Sequence, residues 1–268
     1  AVSSHKWAFA ALKANGSVVT WGVEEKEEDS SAVLDQLQSG VMKVISNGSA
    51  FAALKKDGSV VTWGEQDSGG DSSAVASQLQ GGVEKIYPSS TLYNHSFAAL
   101  KKDGSVVIWG YGAENRDGLS IAKLLKGGVK SLNSKHDAEE LAFEALKKQL
   151  KTGVKSIYSN KSGFAALKED GSAVAWGAAG GSGGDVKRNS RAAADQLTSG
   201  VKKIYAEEAV FIALKEDGSV VTWGEEYKGN CNAAAGHLTD AVKRIYVNYG
   251  ACAALKEDGS VVTWGDSD

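Results

Sequence analysis

The chain has 268 residues and a net charge of -3, from 30 Lys+Arg against 33 Asp+Glu. That length suits one large single-core domain or two small ones, and the balanced charge offers no basic stripe for a phosphate backbone, which argues against nucleic acid as a partner. No apolar run reaches the roughly 18 residues of a membrane-spanning helix, no signal peptide is visible, and the two cysteines, Cys231 and Cys252, make no disulfide framework, so a reducing compartment fits as well as any.

The first element is "FAALKANGSVVTWG", residues 9 to 22, and near-copies end at each later Trp-Gly pair. Those pairs begin at Trp21, Trp63, Trp109, Trp176, Trp223 and Trp264, with spacings of 42, 46, 67, 47 and 41. Ahead of each stands a turn pair: Asn15-Gly16, Asp57-Gly58, Asp103-Gly104, Asp170-Gly171, Asp217-Gly218 and Asp258-Gly259. A type I′ turn needs positive φ at both central residues, and Asn-Gly or Asp-Gly supplies it at least cost. A tight hairpin with that turn is therefore expected in each unit, between an Ala-Leu strand and a strand ending in Trp-Gly.

After Trp-Gly comes a polar loop and then a short helical stretch. In "DSSAVASQLQGG", 71 to 82, Asp71 or Ser72 can cap the start, Val75 and Leu79 share a face, and the Gly pair stops it. "VEKIY" at 83 to 87 follows as a third strand. Both faces of each strand pair are apolar or small, so one unit cannot bury itself alone and units must stack. A closed ring of small sheets protects most edges and is the expected architecture; an open superhelix is the rival.

Between Trp109 and Trp176 the repeat breaks. There Ala142–Lys148 aligns with Ala50–Lys56, but Gln149-Leu150 stands where the turn pair should be. The segment has helix signals: Asp137 as cap, Glu139 and Glu140 near the start, Lys147, Lys148 and Lys151 near the end, and Gly153 as stop. Leu141, Ala145 and Leu146 form its apolar face. The reading is a degenerate helical unit over about 129–153. It either covers a gap in the ring or protrudes toward a partner. The expected fold is thus mainly β with short helices, a β-propeller of about seven repeat units, six with hairpins and one degenerate, forming a single domain over 1–268.

"HSFAALKKDGSVVIWG" at 95 to 110 resembles the regulator of chromosome condensation repeat, through Ala99, Leu100, Asp103, Gly104, Val106, Trp109 and Gly110. The match recurs in six units across nearly the whole chain. It departs from the family where Gly-Gln-Leu-Gly usually follows, which the helical stretch replaces. It also departs at the family's histidine, which would fall at Ala50 or Ser96, one residue from His95. The resemblance implies a seven-bladed propeller that binds proteins. Its founding member promotes guanine nucleotide exchange on the small GTPase Ran, and others are scaffolds, ubiquitin-ligase modules or bacterial effectors acting on host GTPases. The fold does not select among these.

Copies within the chain give an internal comparison for other residues. Cys252 aligns with Phe51, Phe97, Phe164 and Phe211 and reads as a core filler. His237 aligns with Gln36, Gln78 and Gln196, a polar helix position. Cys231 aligns with Ser72 at a helix start, where a thiol pKa can fall. "GGSGGDVKR" at 180 to 188 partly matches a calcium nonapeptide but occurs once and places Lys187 at the apolar position. The acidic run "EEKEED" at 24 to 29 reads as a solvated face. Trp7 takes the place of Ser49 or His95 and is either an end-cap contact or an interface anchor. His5, His95, His136 and His237 are scattered, with no metal-ligand spacing and no catalytic triad.

The expectation is therefore a binding protein with no covalent catalytic site, no cofactor and no metal. Variable loops on a repeated scaffold are where binding sits. The expected partner-binding residues are Trp7, Tyr111, Arg116, Lys135, His136, Arg188 and Tyr227, since interfaces favour Tyr, Trp and Arg. A protein partner is expected, a small GTPase first, with guanine nucleotide exchange as the activity and a monomer as the state. A cytosolic place, or secretion into a host cytosol, fits better than a membrane. The alternative is a structural or surface module, an adhesin or toxin domain, recognising protein or glycan. The sequence stops after Trp264-Gly265 where another loop and helix would be due, which fits a truncated chain.

Overall fold

A computed structural model describes residues 1–5, 7–22, 30–90, 95–110, 144–161, 163–176, 193–207, 210–224, 238–248 and 251–265. Each turn pair joins two strands, as expected, and a further strand pairs on the other side. The described residues form six three-stranded antiparallel sheets, blades 1 to 6, over 2–22, 41–64, 83–110, 154–176, 201–224 and 242–265. In blade 2 the strands are Val41–Ser46, Ala50–Lys55 and Val60–Gly64, neighbours in that order. The fold is mainly β with short helices, built from propeller-type blades. Two compact units divide it: blades 1–3 with Leu150–Thr152, and blades 4–6 with 144–149.

The hairpin corner is not type I′. Its Asp has negative φ, because Ala241 is the sole non-glycine with positive φ among the described residues. Gly58 N donates to Lys55 O at 3.0 Å, so Lys56 and Asp57 are the central pair of a type I turn. Gly58 follows at φ +80°, and Lys55 N donates to Ser59 O at 2.9 Å. This is the three-residue hairpin loop, a type I turn closed by a glycine bulge. The side chain explains the Asp: Asp57 Oδ1 accepts from Ser59 N at 2.9 Å and from Ser59 Oγ at 2.6 Å, and the later corners repeat the pair.

These bonds, the serine hydroxyl first and the backbone N–H next, hold Asp57, Asp103, Asp170, Asp217 and Asp258 below the ordinary carboxylate range. A depressed native pKa stabilises the fold fully above the unfolded value of about 3.9. That contribution is lost as pH falls through the native value. Ser59→Ala is expected to move the Asp57 titration up toward the ordinary value while the other four stay put. Carboxyl-carbon NMR reads this directly, and an unmoved Asp57 midpoint would contradict it.

Alternation along each blade is one of size rather than polarity. In "AFAALK", Phe51 and Ala53 face one way and Ala50, Ala52 and Leu54 the other. Phe51 stacks across the strands on Trp63 at 5.1 Å, and the same pair recurs at Phe97–Trp109, Phe164–Trp176 and Phe211–Trp223. In the first unit, the aromatic face of blade 2 packs on Ala8, Ala10 and Val18 of blade 1. Likewise, the aromatic face of blade 3 packs on Ala50, Ala52 and Leu54 of blade 2. In the second unit, Phe211 and Trp223 of blade 5 meet Ala165 and Leu167 of blade 4, and Cys252 and Ala254 of blade 6 meet Ile212 and Leu214 of blade 5. The core therefore lies between blades, and the small residues are small because an aromatic pair from the next blade needs the room.

Short linkers seal these interfaces. Ser31–Leu37 and Ser73–Gln78 are short 3₁₀ helices; Asp71 Oδ1 accepts from Ser73 N at 2.7 Å at the start of the second. Each linker buries one leucine, Leu37, Leu79, Leu197 or Leu238. Its carbonyl takes the first N–H of the third strand of the blade just left: Val60 N to Leu79 O, Ala173 N to Leu197 O and Val220 N to Leu238 O, at 2.8–2.9 Å. The next blade's lysine then caps the linker, with Lys55 Nζ on Gln36 O and Lys101 Nζ on Gln78 O at 2.9 Å. The corner glycine's carbonyl also accepts from the next blade, with Val83 N on Gly58 O at 3.0 Å and Val242 N on Gly218 O at 3.1 Å.

The broken repeat ends in the same way. Residues 144–149 are helical, and Leu146 and Leu150 are buried. Leu150 O accepts from Val106 N at 2.9 Å, and Lys168 Nζ donates to Gln149 O at 3.1 Å. Those are linker bonds, so Gln149–Gly153 corresponds to Gln78–Gly82. The end of the segment does a linker's work rather than a hairpin's. Residues 129–143, including Asp137, Glu139, Glu140 and Leu141, lie outside the described residues.

One expectation about cysteine is corrected. Cys252 fills the Phe51 position in the core of the last interface, and it is disulfide-bonded. Cys231 lies outside the described residues.

Candidate functional site

The antiparallel order places two kinds of segment at one end of every blade: the corner between its first and second strands, and the stretch after Trp-Gly. The other end carries the near-identical Asp-Gly corners. Sequence differences therefore concentrate at the first end, which is the candidate binding end.

The Gly of each Trp-Gly is required there. Gly64 has φ +104°, and a Cβ on it would sit 2.9 Å from Ala50 Cα and 3.0 Å from Ser49 O. The third strand must pass that close before the chain turns out into its loop.

In the first unit this end is held by a buried amide. Asn47 is 1% exposed. Its Oδ1 accepts from Ala50 N at 2.9 Å and Ser49 N at 3.2 Å, and its Nδ2 donates to Ser68 O at 2.7 Å. Asn47 O lies 2.8 Å from His95 Nδ1 in blade 3, and Ser68 Oγ donates to Glu65 Oε2 at 2.8 Å. His5 occupies the Asn47 position in blade 1, with its ring 4.6 Å from that of Phe51. Burial lowers the His5 pKa, against the opposing pull of the Glu65 charge. In the second unit, Asn248 Oδ1 accepts from Ala251 N at 2.9 Å as Asn47 does from Ala50 N, while Asn160, at the same corner of blade 4, donates from Nδ2 to Val210 O of blade 5 at 3.0 Å.

The arrangement ties corners and loops together and carries no reactive constellation. Ser68 gives its proton to a carboxylate with no imidazole bonded to it, and no cluster of three or more metal-ligating side chains occurs among the described residues. Asn47→Ala is expected to cost about 1–3 kcal/mol, since Ala50 N loses its side-chain acceptor and Ser68 O its donor in a buried place. Denaturant unfolding measures it; a loss near zero would mean that water replaces the amide.

Of the residues expected at a partner interface, Trp7 is described. It stands at the Ser49 and His95 position, 53% exposed, with its N donating to His5 Nδ1 at 3.3 Å. Tyr111, Arg116, Lys135, His136, Arg188 and Tyr227 lie outside the described residues. Sequence reasoning missed a second exposed group in blade 1: Val2, Phe9, Val19 and Trp21, at 64%, 42%, 41% and 49%. Their counterparts in blade 2, Val44, Phe51, Val61 and Trp63, are at 8%, 1%, 5% and 4%. Nothing in the residues themselves marks them, because each matches its repeat.

No family model matches the chain, and no curated protein matches it. Solved structures similar to it include human WBSCR16, at 16% identity over 99% of this chain and 76% of that one, with a TM-score of 0.45. Yeast RCC1 (Prp20), in its complex with Kap60, is 16% identical over 99% and 69%, with a TM-score of 0.43. The CRINKLY WD40 ectodomain of the Arabidopsis thaliana receptor kinase ACR4 is 13% identical over 98% and 78%, with a TM-score of 0.39. At these identities and scores the likenesses bring no activity, substrate or partner to this chain.

Proposed function

We propose that the chain is a protein-interaction module in which rigid blades present a variable end to a protein partner. The observation that carries this is Trp7, a large aromatic held half in solvent at a corner where other blades have Ser49 and His95. Aromatic residues in such places anchor interfaces. Tyr111, Arg116, Lys135, His136, Arg188 and Tyr227 are proposed as further anchors. The partner proposed is a small GTPase of the Ran kind, with acceleration of guanine nucleotide exchange as the activity and a bacterial effector acting in a host cell as the setting. Support comes from the sixfold repeat resemblance. Exchange needs no covalent chemistry, only tighter binding to the GTPase state that holds nucleotide poorly.

The test uses GTPases loaded with a fluorescent nucleotide. Faster release on adding the chain, reduced by Trp7→Ala, is expected. No acceleration and no complex with any GTPase would end this reading. The disulfide at Cys252 favours a second one, a surface module that recognises an extracellular protein or glycan, because disulfides persist in oxidising compartments. Glycan or ectodomain binding without any effect on nucleotide release would select it.

A further inference from the structure

Within the second unit, the interface between blades 5 and 6 departs from its siblings at several repeated positions. Elsewhere Phe51, Phe97 and Phe211 enter beside Ala10, Ala52 and Ala165 of the blade before. Between blades 5 and 6 the same two places hold Cys252 and Ile212, 2% and 0% exposed. A ring has gone from one side and a larger aliphatic chain has come in from the other, so the room stays filled and the socket is fitted around a cysteine. Cys252 faces Trp264 across the strands, in the place of the phenylalanine that stacks on Trp63, Trp109 or Trp223.

Two further departures weaken the joint. Ala241 has φ +57° where Gly40, Gly82, Gly153 and Gly200 have +71° to +77°. A Cβ is unfavourable in that backbone region, and Ala241 lies at the seam itself, next to Val242, whose N donates across it to Gly218 O at 3.1 Å. The lysine cap changes too. Lys55, Lys101, Lys168 and Lys215 each donate to a glutamine carbonyl of the linker. Lys256 Nζ instead stands 3.6 Å from the Asp240 carboxylate, which is 75% exposed. An exposed ion pair of that kind contributes little. Against these stands one added fastening: Cys252 is disulfide-bonded, and the chain holds one other cysteine, Cys231.

We propose that this disulfide is a redox latch on the joint between blades 5 and 6, closed under oxidising conditions and released on reduction, so that blade 6 loosens from blade 5 while blades 4 and 5 stay packed. The reductant is a dithiol. Its thiolate attacks one sulfur of the bond and forms a mixed disulfide, and its second thiol displaces the remaining cysteine. Two electrons and two hydrogens pass to the chain, which is left with two thiols, and the dithiol leaves as a disulfide. Cys252 stands one residue past the corner where Asn248 Oδ1 accepts from Ala251 N, so the latch sits at the same end of the blade as the variable corners.

Hydrogen exchange of the full chain with and without dithiothreitol tests the proposal, with complete reduction checked by thiol titration. On reduction the amides of Val242 and Ala254 are expected to exchange faster, on the order of thirty-fold for the loss of a disulfide, while Ala213 of blade 5 and Ala53 of blade 2 keep their rates. Cys231→Ser without reductant is expected to give the same pattern. Ile212→Ala together with Cys252→Phe rebuilds the ring-and-alanine fit of the other interfaces, and is expected to leave Val242 slow and indifferent to dithiothreitol. If that double variant does not fold, Ala241→Gly serves, and it is expected to slow Val242 in the reduced chain relative to the reduced parent. Unchanged exchange at Val242 and Ala254 after full reduction overturns the proposal, as does equal acceleration at Ala213. So does a Cys231→Ser chain that behaves as the oxidised parent, a double variant that still responds to dithiothreitol, an Ala241→Gly chain no slower than the reduced parent, or a covalent dimer on a non-reducing gel, which would place the bond between chains.

Discussion

Phe51→Ala is expected to lower the unfolding free energy by about 3–5 kcal/mol, and Phe9→Ala by only about 1 kcal/mol, the scale of one aromatic pair. Both residues occupy the same place in their blades and stack on the partner-strand tryptophan, at 5.1 Å on Trp63 and 5.4 Å on Trp21. They differ in what lies beyond the sheet. Phe51 is 1% exposed against Ala8, Ala10 and Val18 of blade 1, whereas Phe9 is 42% exposed. Alanines cannot move in to fill the hole, so truncation at Phe51 leaves a cavity as well as losing apolar burial. The difference between the two variants isolates the energy of packing between blades. Denaturant unfolding at a concentration where the chain is monomeric measures it, and equal losses would mean that blades are stabilised singly.

Gly58→Ala is expected to cost about 2–5 kcal/mol, from a left-handed backbone and an overpacked contact together. Gly259→Ala carries the backbone cost alone, about 1–2 kcal/mol. Both glycines have left-handed φ, +80° and +85°. The added methyl at 58 meets backbone nitrogens of Gly82 at 2.7 Å and Val83 at 3.1 Å, and backbone cannot rotate away as a side chain can. Relief requires lengthening the 3.0 Å bond from Val83 N to Gly58 O, which joins blade 3 to blade 2. At 259 the methyl enters open space. Thermal unfolding of the two variants compares them; an equal cost would show that the corner makes no contact with the next blade.

Six hairpins and their third strands were legible because the repeat prints its corners and strand ends in the same register each time. The turn type was not. Asp-Gly reads as a type I′ pair only if those two residues are central, and the Lys55 carbonyl instead accepts from Gly58, moving the pair back to Lys56-Asp57. The alternation of Phe51 and Ala53 against Ala50, Ala52 and Leu54 was present in the letters, yet size alternation gives no direction until two blades are seen together. The broken repeat was matched through Ala142–Lys148, where composition is similar, while Gln149, Leu150 and Gly153 carry the linker bonds. At the candidate site, Trp7 was singled out because it breaks its repeat. Asn47 escaped notice because its role depends on burial against a loop 21 residues away, and Phe9 and Trp21 because they obey the repeat fully.

The account stands on blades being joined through their backbones as well as their side chains. The amides of Val83, Val201 and Val242 test this most directly, since each donates to the corner glycine of the preceding blade, Gly58, Gly171 or Gly218, at 2.7–3.1 Å. Native-state hydrogen exchange should find these three as strongly protected as the central-strand amides of Ala53, Ala213 and Ala254. Exchange at the rate of an open chain end, with the central strands still protected, would mean that the sheets are separate and that the packing described here is wrong.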